Sequence, residues 1–335
     1  MITYVDDSSG PSVAGDVLYY EPYDAYFPSP QVLLLRLWDE LGVPHKKKKQ
    51  VHGTTLPIIG IVVDPNALSF TLPDVAHQRL VTELQTWTAE KTTRFRLCRW
   101  QKLEGWINWA LNVYPDLRPC LNAFYNKIAG KTQPALYVRI NNDVRADFTW
   151  ALDLLNHLPP VHLLHSLTWS PREASLTAYC DACPKGMGFW EPETNSAYYS
   201  ENPPDTPPLI YFVEALCVLS TIEHSCKTMS PYQTLLIYTD NTNVVDIFSS
   251  LRCQPAFNAI IKRAVSARVK AQVDVRVLHV PGEKNNIADT ISRAKFDDAK
   301  SLSPELSIRT FTPPCFVRKP TQLTPPLFTL GATKK

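Results

Sequence analysis

Between residues 161 and 298 the chain alternates short apolar runs of strand length with longer runs of helical length. That alternation restricts this part to an α/β domain, because a helix between two strands returns the chain across a sheet face. The strand candidates are Leu176–Cys180 (LTAYC), Met187–Trp190, Ser196–Tyr199, Leu235–Thr239 (LLIYT) and Val273–His279 (VDVRVLH). Helices are expected at Ile210–Ile222, Thr242–Leu251 and Pro255–Lys270. Pro203, Pro204, Pro207 and Pro208 mark a loop before the first of them.

The remaining composition sets outer bounds. A chain of 335 residues has room for two or three domains, and 44% apolar with 20% charged residues describes a folded protein. Its longest apolar runs fall far short of the roughly 18 residues of a membrane span. The first ten residues, MITYVDDSSG, carry acids and no apolar stretch, so no signal peptide is expected. These features point to an intracellular protein of nucleus or cytoplasm, not secreted and without a membrane partner. Eight cysteines make no disulfide framework, and the lone Cys180-x-x-Cys183 lacks the second pair that structural zinc requires. His162-x-x-His165, beside prolines, is an equally weak metal signal.

Four acids stand out in the α/β part. Asp181 follows LTAYC, Glu214 interrupts the apolar helix YFVEALCVL, Asp240 follows LLIYT, and Asp289 opens the last helix, within NNIADTISR. Singly, each could be a turn former or a helix cap; Asp240 could simply cap the helix that follows it. Three of the four follow or interrupt strongly apolar runs, where a bare charge costs several kcal/mol unless it is paired or binds a metal. Aspartates at neighbouring strand ends open onto one rim of a sheet. Hard carboxylate oxygens there suit Mg²⁺, which completes its shell with water and phosphate. Two such ions about 3.5–4 Å apart can activate water and stabilise the leaving oxygen of a phosphodiester.

The segments DACPKGMGFW (Asp181–Trp190), VEALCVLSTI (Val213–Ile222), YTDNTNVVDIF (Tyr238–Phe248) and HVPGEKNNIADTISR (His279–Arg293) resemble the ribonuclease H domain of retrotransposon reverse transcriptases. The resemblance implies a mixed five-stranded sheet with flanking helices. It places the family's catalytic, metal-binding acids on Asp181, Glu214, Asp240 and Asp289. It implies two Mg²⁺ ions, with Mn²⁺ as a substitute, and hydrolysis of RNA in RNA–DNA hybrids. One departure is visible. Many cellular relatives carry a catalytic His directly after Pro-Gly, where this chain has Glu283; His279 precedes Val280-Pro281-Gly282 and reads as a strand-end residue. That pattern is similar to gypsy-like and DIRS-like retroelements.

Upstream, Tyr4-Val5-Asp6-Asp7 resembles the palm hairpin of reverse transcriptases, whose paired aspartates, here Asp6 and Asp7, hold the polymerase metals. Leu41–Gln50 (LGVPHKKKKQ) resembles the segment bearing a lysine near the incoming nucleotide, here Lys49, and Leu56–Asp64 resembles the primer-grip hairpin. Trp100–Lys131 resembles the thumb and connection helices of DIRS-like fungal retroelements. The expected division is a truncated palm (1–75), a helical thumb and connection (76–160), a ribonuclease H-like domain (161–298) and a Pro-rich, basic, disordered tail (299–335). The resemblance requires a further metal-binding Asp and the fingers upstream of Tyr4. The chain is therefore expected to be the C-terminal part of a reverse transcriptase, completed by a missing N-terminal part and unable to polymerise alone.

Net charge is only +2, yet it is unevenly spread. Residues 86–145 hold ten bases and four acids. Arg94, Arg96, Arg99, Lys102, Lys127 and Lys131 are the expected contacts to a template–primer or RNA–DNA hybrid, the interleaved Trp and Tyr adding stacking surface. The alternative use of those aromatics is a Trp-rich core under a solvated face. A rival of another class is a degenerate, non-catalytic retroelement remnant that only binds nucleic acid.

Overall fold

The computed structural model describes residues 2–4, 7–158, 161–163, 169–204, 206, 207 and 209–316. They form two compact units, one of residues 1–82, 112–114 and 159–168, the other of 83–111, 115–158 and 169–335.

The first unit is built from small antiparallel sheets. Strands β1 (Ile2–Tyr4) and β2 (Asp7–Ser9) pair with Tyr4 opposite Asp7. β3 (Val17–Tyr20) and β4 (Ala25–Pro28) form a hairpin on which α1 (Ser29–Glu40) packs, burying Tyr20, Phe27, Val32 and Leu35. Within Leu56–Asp64, β5 (Leu56–Ile58) and β6 (Ile61–Asp64) fold back on each other at Ile59-Gly60, both with positive φ. A glycine takes that left-handed turn without strain, and it breaks the strand there. A turn follows at Asp64-Pro65-Asn66, the Asp64 carboxylate accepting from the backbone N–H groups of Asn66 and Ala67. β7 (Ser69–Thr71) and α2 (Asp74–Thr88) follow.

The second unit opens with β8 (Arg94–Arg96), α3 (Leu97–Ala110), α4 (Asn122–Ile128), β9 (Tyr137–Arg139) and α5 (Asn142–Leu155). Back in the first unit, β10 (Val161–Leu163) completes the sheet β10-β7-β6-β5. Trp87, Trp100, Phe124 and Phe148 are fully buried against one another, with Trp87 and Trp100 rings edge-on at 4.8 Å. These tryptophans are core rather than stacking surface. Arg145 is likewise structural: its guanidinium donates to the carbonyls of Trp87, Thr88, Ala89 and Thr92, capping the end of α2.

The rest of the second unit is a mixed α/β layer: β11 (Leu176–Ala182), β12 (Gly186–Glu191), β13 (Ser196–Glu201), α6 (Ile210–Ser225), β14 (Thr234–Thr239), α7 (Thr242–Ser250), α8 (Asn258–Ala271), β15 (Asp274–His279), α9 (Asn286–Ser292), α10 (Phe296–Leu302) and β16 (Ser307–Thr310). The strand order is β15-β14-β11-β12-β13-β16. β11, β14 and β15 run parallel and β12 runs antiparallel between β11 and β13. Leu235, Leu236 and Ile237 are all buried, the signature of a strand covered on both faces. The sheet has six strands rather than five, and residues 299–316, expected as part of the tail, include the end of α10 and all of β16. Ala299 and Leu306 are buried with Ala197 and Ile291, which draws α10 and β16 onto the edge of β13. Residues 317–335 of that expected tail lie outside the described residues.

The helices of residues 83–158 are fixed to this layer through α8. The Asp147 carboxylate, 4% exposed, accepts from Lys262 Nζ at 2.6 Å, from Asn258 Nδ2 at 3.3 Å and from the Ala123 N–H at 3.1 Å. Trp150 Nε1 donates to Ser266 Oγ at 2.9 Å, and Arg268 pairs with Asp116.

Candidate nuclease site

The four acids arrive from three kinds of element at one rim of the sheet. Tyr179 on β11 is paired in parallel register with Tyr238 on β14. Asp181 and Asp240 each lie two residues further along, so they stand side by side at the C-terminal ends of adjacent strands, which are about 4.8 Å apart. Asp181 is 7% exposed, whereas Asp240 is exposed to solvent. Asp240 is not the cap of the following helix: Asn241 fills that position, its Oδ1 accepting from the N–H groups of Asn243 and Val244 at 2.9 and 3.3 Å. The carboxylate is thus left free of local duty.

Glu214 comes from the second turn of α6, a helix otherwise buried along nearly its whole length. Asn241 hydrogen-bonds to it, but its Oε2 is buried with no hydrogen-bonding partner. Burial, opposed by Asn241 and reinforced by the charges of Asp240 and Asp181, pushes its carboxyl up to about 7. Asp181 is pushed up to about 6, first by burial, then by Asp240 and Asp289, with Ser292 and Arg293 acting against the rise. Asp289, in the first turn of α9, pairs with Arg293 one turn on, Nε to Oδ1 at 2.8 Å. The four carboxylates therefore feel one another's charge. Among the described residues no group of three or more His, Cys, Asp or Glu is gathered closely enough to hold a metal ion.

Several residues that pattern reading passed over hold the site together. Ser292 Oγ donates to Asp181 Oδ2 at 2.5 Å, both groups buried, and so ties α9 to β11. The helix approaches that closely because β12 offers glycines. A Cβ on Gly188 would lie 2.4 Å from Ile291 Cγ2, and one on Gly186 would lie 2.9 Å from the Ser292 carbonyl oxygen. At Gly282, by contrast, a Cβ would meet Asp240 Oδ2 at an ordinary 3.4 Å. The only sequence signals were two glycines inside a strand and a serine three residues after Asp289, on the same helix face.

His279 closes β15 and is exposed, as the strand-end reading expected. Cys180 faces Thr221 Oγ1 at 3.0 Å and Cys183 donates to the Ser292 carbonyl at 3.2 Å, so each thiol has its own buried partner. Among the upstream residues, Asp6 lies outside the described residues, Asp7 begins β2, and Lys49 is exposed at the end of a 3-10 turn in the first unit. Of the basic residues, Arg94, Arg96 and Arg99 surround the start of α3, Lys102 is exposed on α3, Lys127 sits on α4 and Lys131 just beyond it.

No family model matches the chain, and no curated protein does. Solved structures with similar arrangements exist. The ribonuclease H1 LC11, solved with an RNA/DNA hybrid, is 16% identical over 38% of this chain and all of its own, with a TM-score of 0.31. Ribonuclease H1 of the halophilic archaeon Halobacterium salinarum NRC-1 is 14% identical over 37% of this chain and 98% of its own, with a TM-score of 0.28. A foamy viral protease-reverse transcriptase, solved with double-stranded DNA, is 13% identical over 76% of this chain at a TM-score of 0.31; this chain spans 44% of its length. Among the described residues no helix is long and apolar enough to cross a membrane.

Proposed function

We propose that the chain is a ribonuclease H-type enzyme that hydrolyses RNA in RNA–DNA hybrids, within a reverse transcriptase of retroelement origin and DIRS-like kind. The observation that carries it is the placement of Asp181 and Asp240, each two residues beyond the Tyr179–Tyr238 pair of adjacent parallel strands, together with the unpartnered Glu214 Oε2. Nothing in the packing of α6 requires a half-buried acid whose second oxygen is unsatisfied; a metal-ligating role does.

The donor set fits Mg²⁺. All four groups offer hard oxygens, their charges repel, and a cation would relieve both that repulsion and the burial of Asp181 and Glu214. Mg²⁺ keeps much of its water and needs only one or two protein carboxylates, so an open set of four suits two ions better than a closed cage. On this reading Asp181 and Asp240 would serve both ions, Glu214 one and Asp289 the other. Bound there, such ions supply a lowered water pKa and charge neutralisation at the phosphate. The protein's own work is to hold the ligands. Ser292 fixes the Asp181 oxygen, Asn241 orients Glu214, and Arg293 restrains Asp289. The nuclease domain would run from the start of β11 through β16, with the helices of residues 83–158 as its connection-like platform.

Asp240→Asn removes an exposed charge and should leave the fold intact. It is expected to abolish Mg²⁺-dependent cleavage of a labelled RNA–DNA hybrid while hybrid binding in EDTA stays within about twofold. Unchanged cleavage refutes the site. A wild-type chain that binds hybrid yet never cuts it supports the inert-remnant alternative.

A further inference from the structure

β8 and β9 form a two-stranded ribbon in which Arg94 stands opposite Arg139 and Arg96 opposite Tyr137. Strand alternation puts those four side chains on one face and Phe95 and Val138 on the other. The inner face is anchored: Val138 is buried and the Phe95 ring meets Trp87 at 4.5 Å. All four outer residues are exposed. The Arg94 and Arg96 guanidinium carbons lie 5.1 and 5.6 Å from the centre of the Tyr137 ring, and Arg96 Nε donates to the Tyr137 hydroxyl at 3.3 Å.

This face is odd for a purely structural ribbon. Like charges directly opposed across a strand pair destabilise it. Among the described residues none of Arg94, Arg96 and Arg139 is in an ion pair; neighbouring Arg99, by contrast, holds Glu83 at 3.3 Å. Three guanidinium forks on one face, two of them steadied by an aromatic ring, make an acceptor for tetrahedral oxyanions. Arginine suits phosphate oxygens bidentately, and its ordering on Tyr137 is already in place before a ligand arrives. The ribbon is also carried by the helices that Asp147–Lys262 and Trp150–Ser266 fasten to the sheet, so it has a fixed position relative to the carboxylates.

We infer that this outer face of the β8–β9 ribbon, through Arg94, Arg96, Arg139 and Tyr137, is the anchor for the phosphodiester backbone of the nucleic acid. Arg139 and Tyr137 carry it as much as the arginines of β8 do, and Lys102, Lys127 and Lys131, which lie off this ribbon, do not. The inference rests on the nuclease reading for its ligand, but its test does not need cleavage.

Binding of a fluorescent RNA–DNA hybrid is measured by polarisation in EDTA across 50–200 mM salt. The variant Arg94→Gln/Arg96→Gln/Arg139→Gln should weaken binding more than tenfold at 100 mM salt, and the slope of log affinity against log salt should flatten by about 2 to 3, roughly one for each phosphate that is no longer neutralised. Its thermal midpoint should be unchanged or higher, because like charges have been removed. Tyr137→Leu alone should weaken binding several-fold. The variant Lys102→Gln/Lys127→Gln/Lys131→Gln should change affinity less than threefold. Equal losses from the lysine variant, or an unaltered slope in the arginine variant, overturn the inference. So does displacement of the hybrid by poly-glutamate at equal charge concentration, which would make the face a docking site for acidic protein. Failure here leaves the cleavage test of Asp240→Asn untouched, so the two readings fail separately.

Discussion

Replacing Asp181 by Asn should abolish cleavage and, in the same molecule, stabilise the metal-free fold. The carboxyl is 7% exposed and is pushed up from 3.8 to about 6, chiefly by burial, so its ionised form is held at a cost in the folded state. About two pKa units correspond to roughly 3 kcal/mol at about 1.4 kcal/mol per unit. The sign follows from the direction of the shift. A folded value above the unfolded one means that stability is fully present below about 3.8 and is lost as pH rises through about 6. Glu214, pushed up to about 7, extends the same trend upward. Asn keeps the shape of Asp, and its amide oxygen can still accept from Ser292. Urea denaturation in EDTA should therefore show Asp181→Asn about 1–3 kcal/mol more stable than wild type at pH 8 and nearly equal to it at pH 4. An Asn variant no more stable than wild type at pH 8, or one whose gain is the same at both pH values, refutes the view of Asp181 as a charge confined for function. Such a trade of stability for activity is common at catalytic sites.

Three further outcomes follow from the packing. Gly188→Ala would put a Cβ 2.4 Å from Ile291 Cγ2 and 3.1 Å from the Ser292 backbone nitrogen; thermal denaturation should register a loss of about 1–3 kcal/mol, and cleavage should fall as α9 is pushed off β12. Lys262→Met strands the Asp147 carboxylate inside the helix–sheet junction and should cost about 3–5 kcal/mol at neutral pH by chemical denaturation, less as acid neutralises the stranded group. Ser292→Ala removes the hydroxyl that holds Asp181 Oδ2; titration calorimetry should show weaker Mg²⁺ binding by roughly 10-fold, with Ser292→Thr recovering part of it.

Much of the α/β region was legible because its signals are local and periodic. LTAYCD and LLIYTD each read as an apolar strand ending in a charge, and both strands form with the acid at the rim. YFVEALCVL read as a buried helix with one acid, and α6 is that helix. The β8–β9 ribbon was not legible. Each strand has three residues, too few for a period, and their partners lie more than 40 positions apart. β16 was hidden in the same way, a four-residue strand within a basic, proline-rich stretch, recognisable only once Leu306 and Ile308 have a core to join. The tryptophans of residues 86–110 looked equally suited to a core or to stacking on bases. Burial decided for the core at Trp87 and Trp100, and left Tyr137 as the exposed ring among arginines.

By itself the amino-acid sequence determined the α/β alternation, the types of residue at the rim and the excess of positive charge ahead of the sheet, since these depend on composition and spacing along one chain. Only the tertiary structure decided that Asp181 and Asp240 share a register, that Ser292 reaches Asp181 across two glycines, and that three arginines share one exposed face. Those are distances between residues up to 111 positions apart, and they are set by which surfaces bury one another rather than by any local preference of the chain.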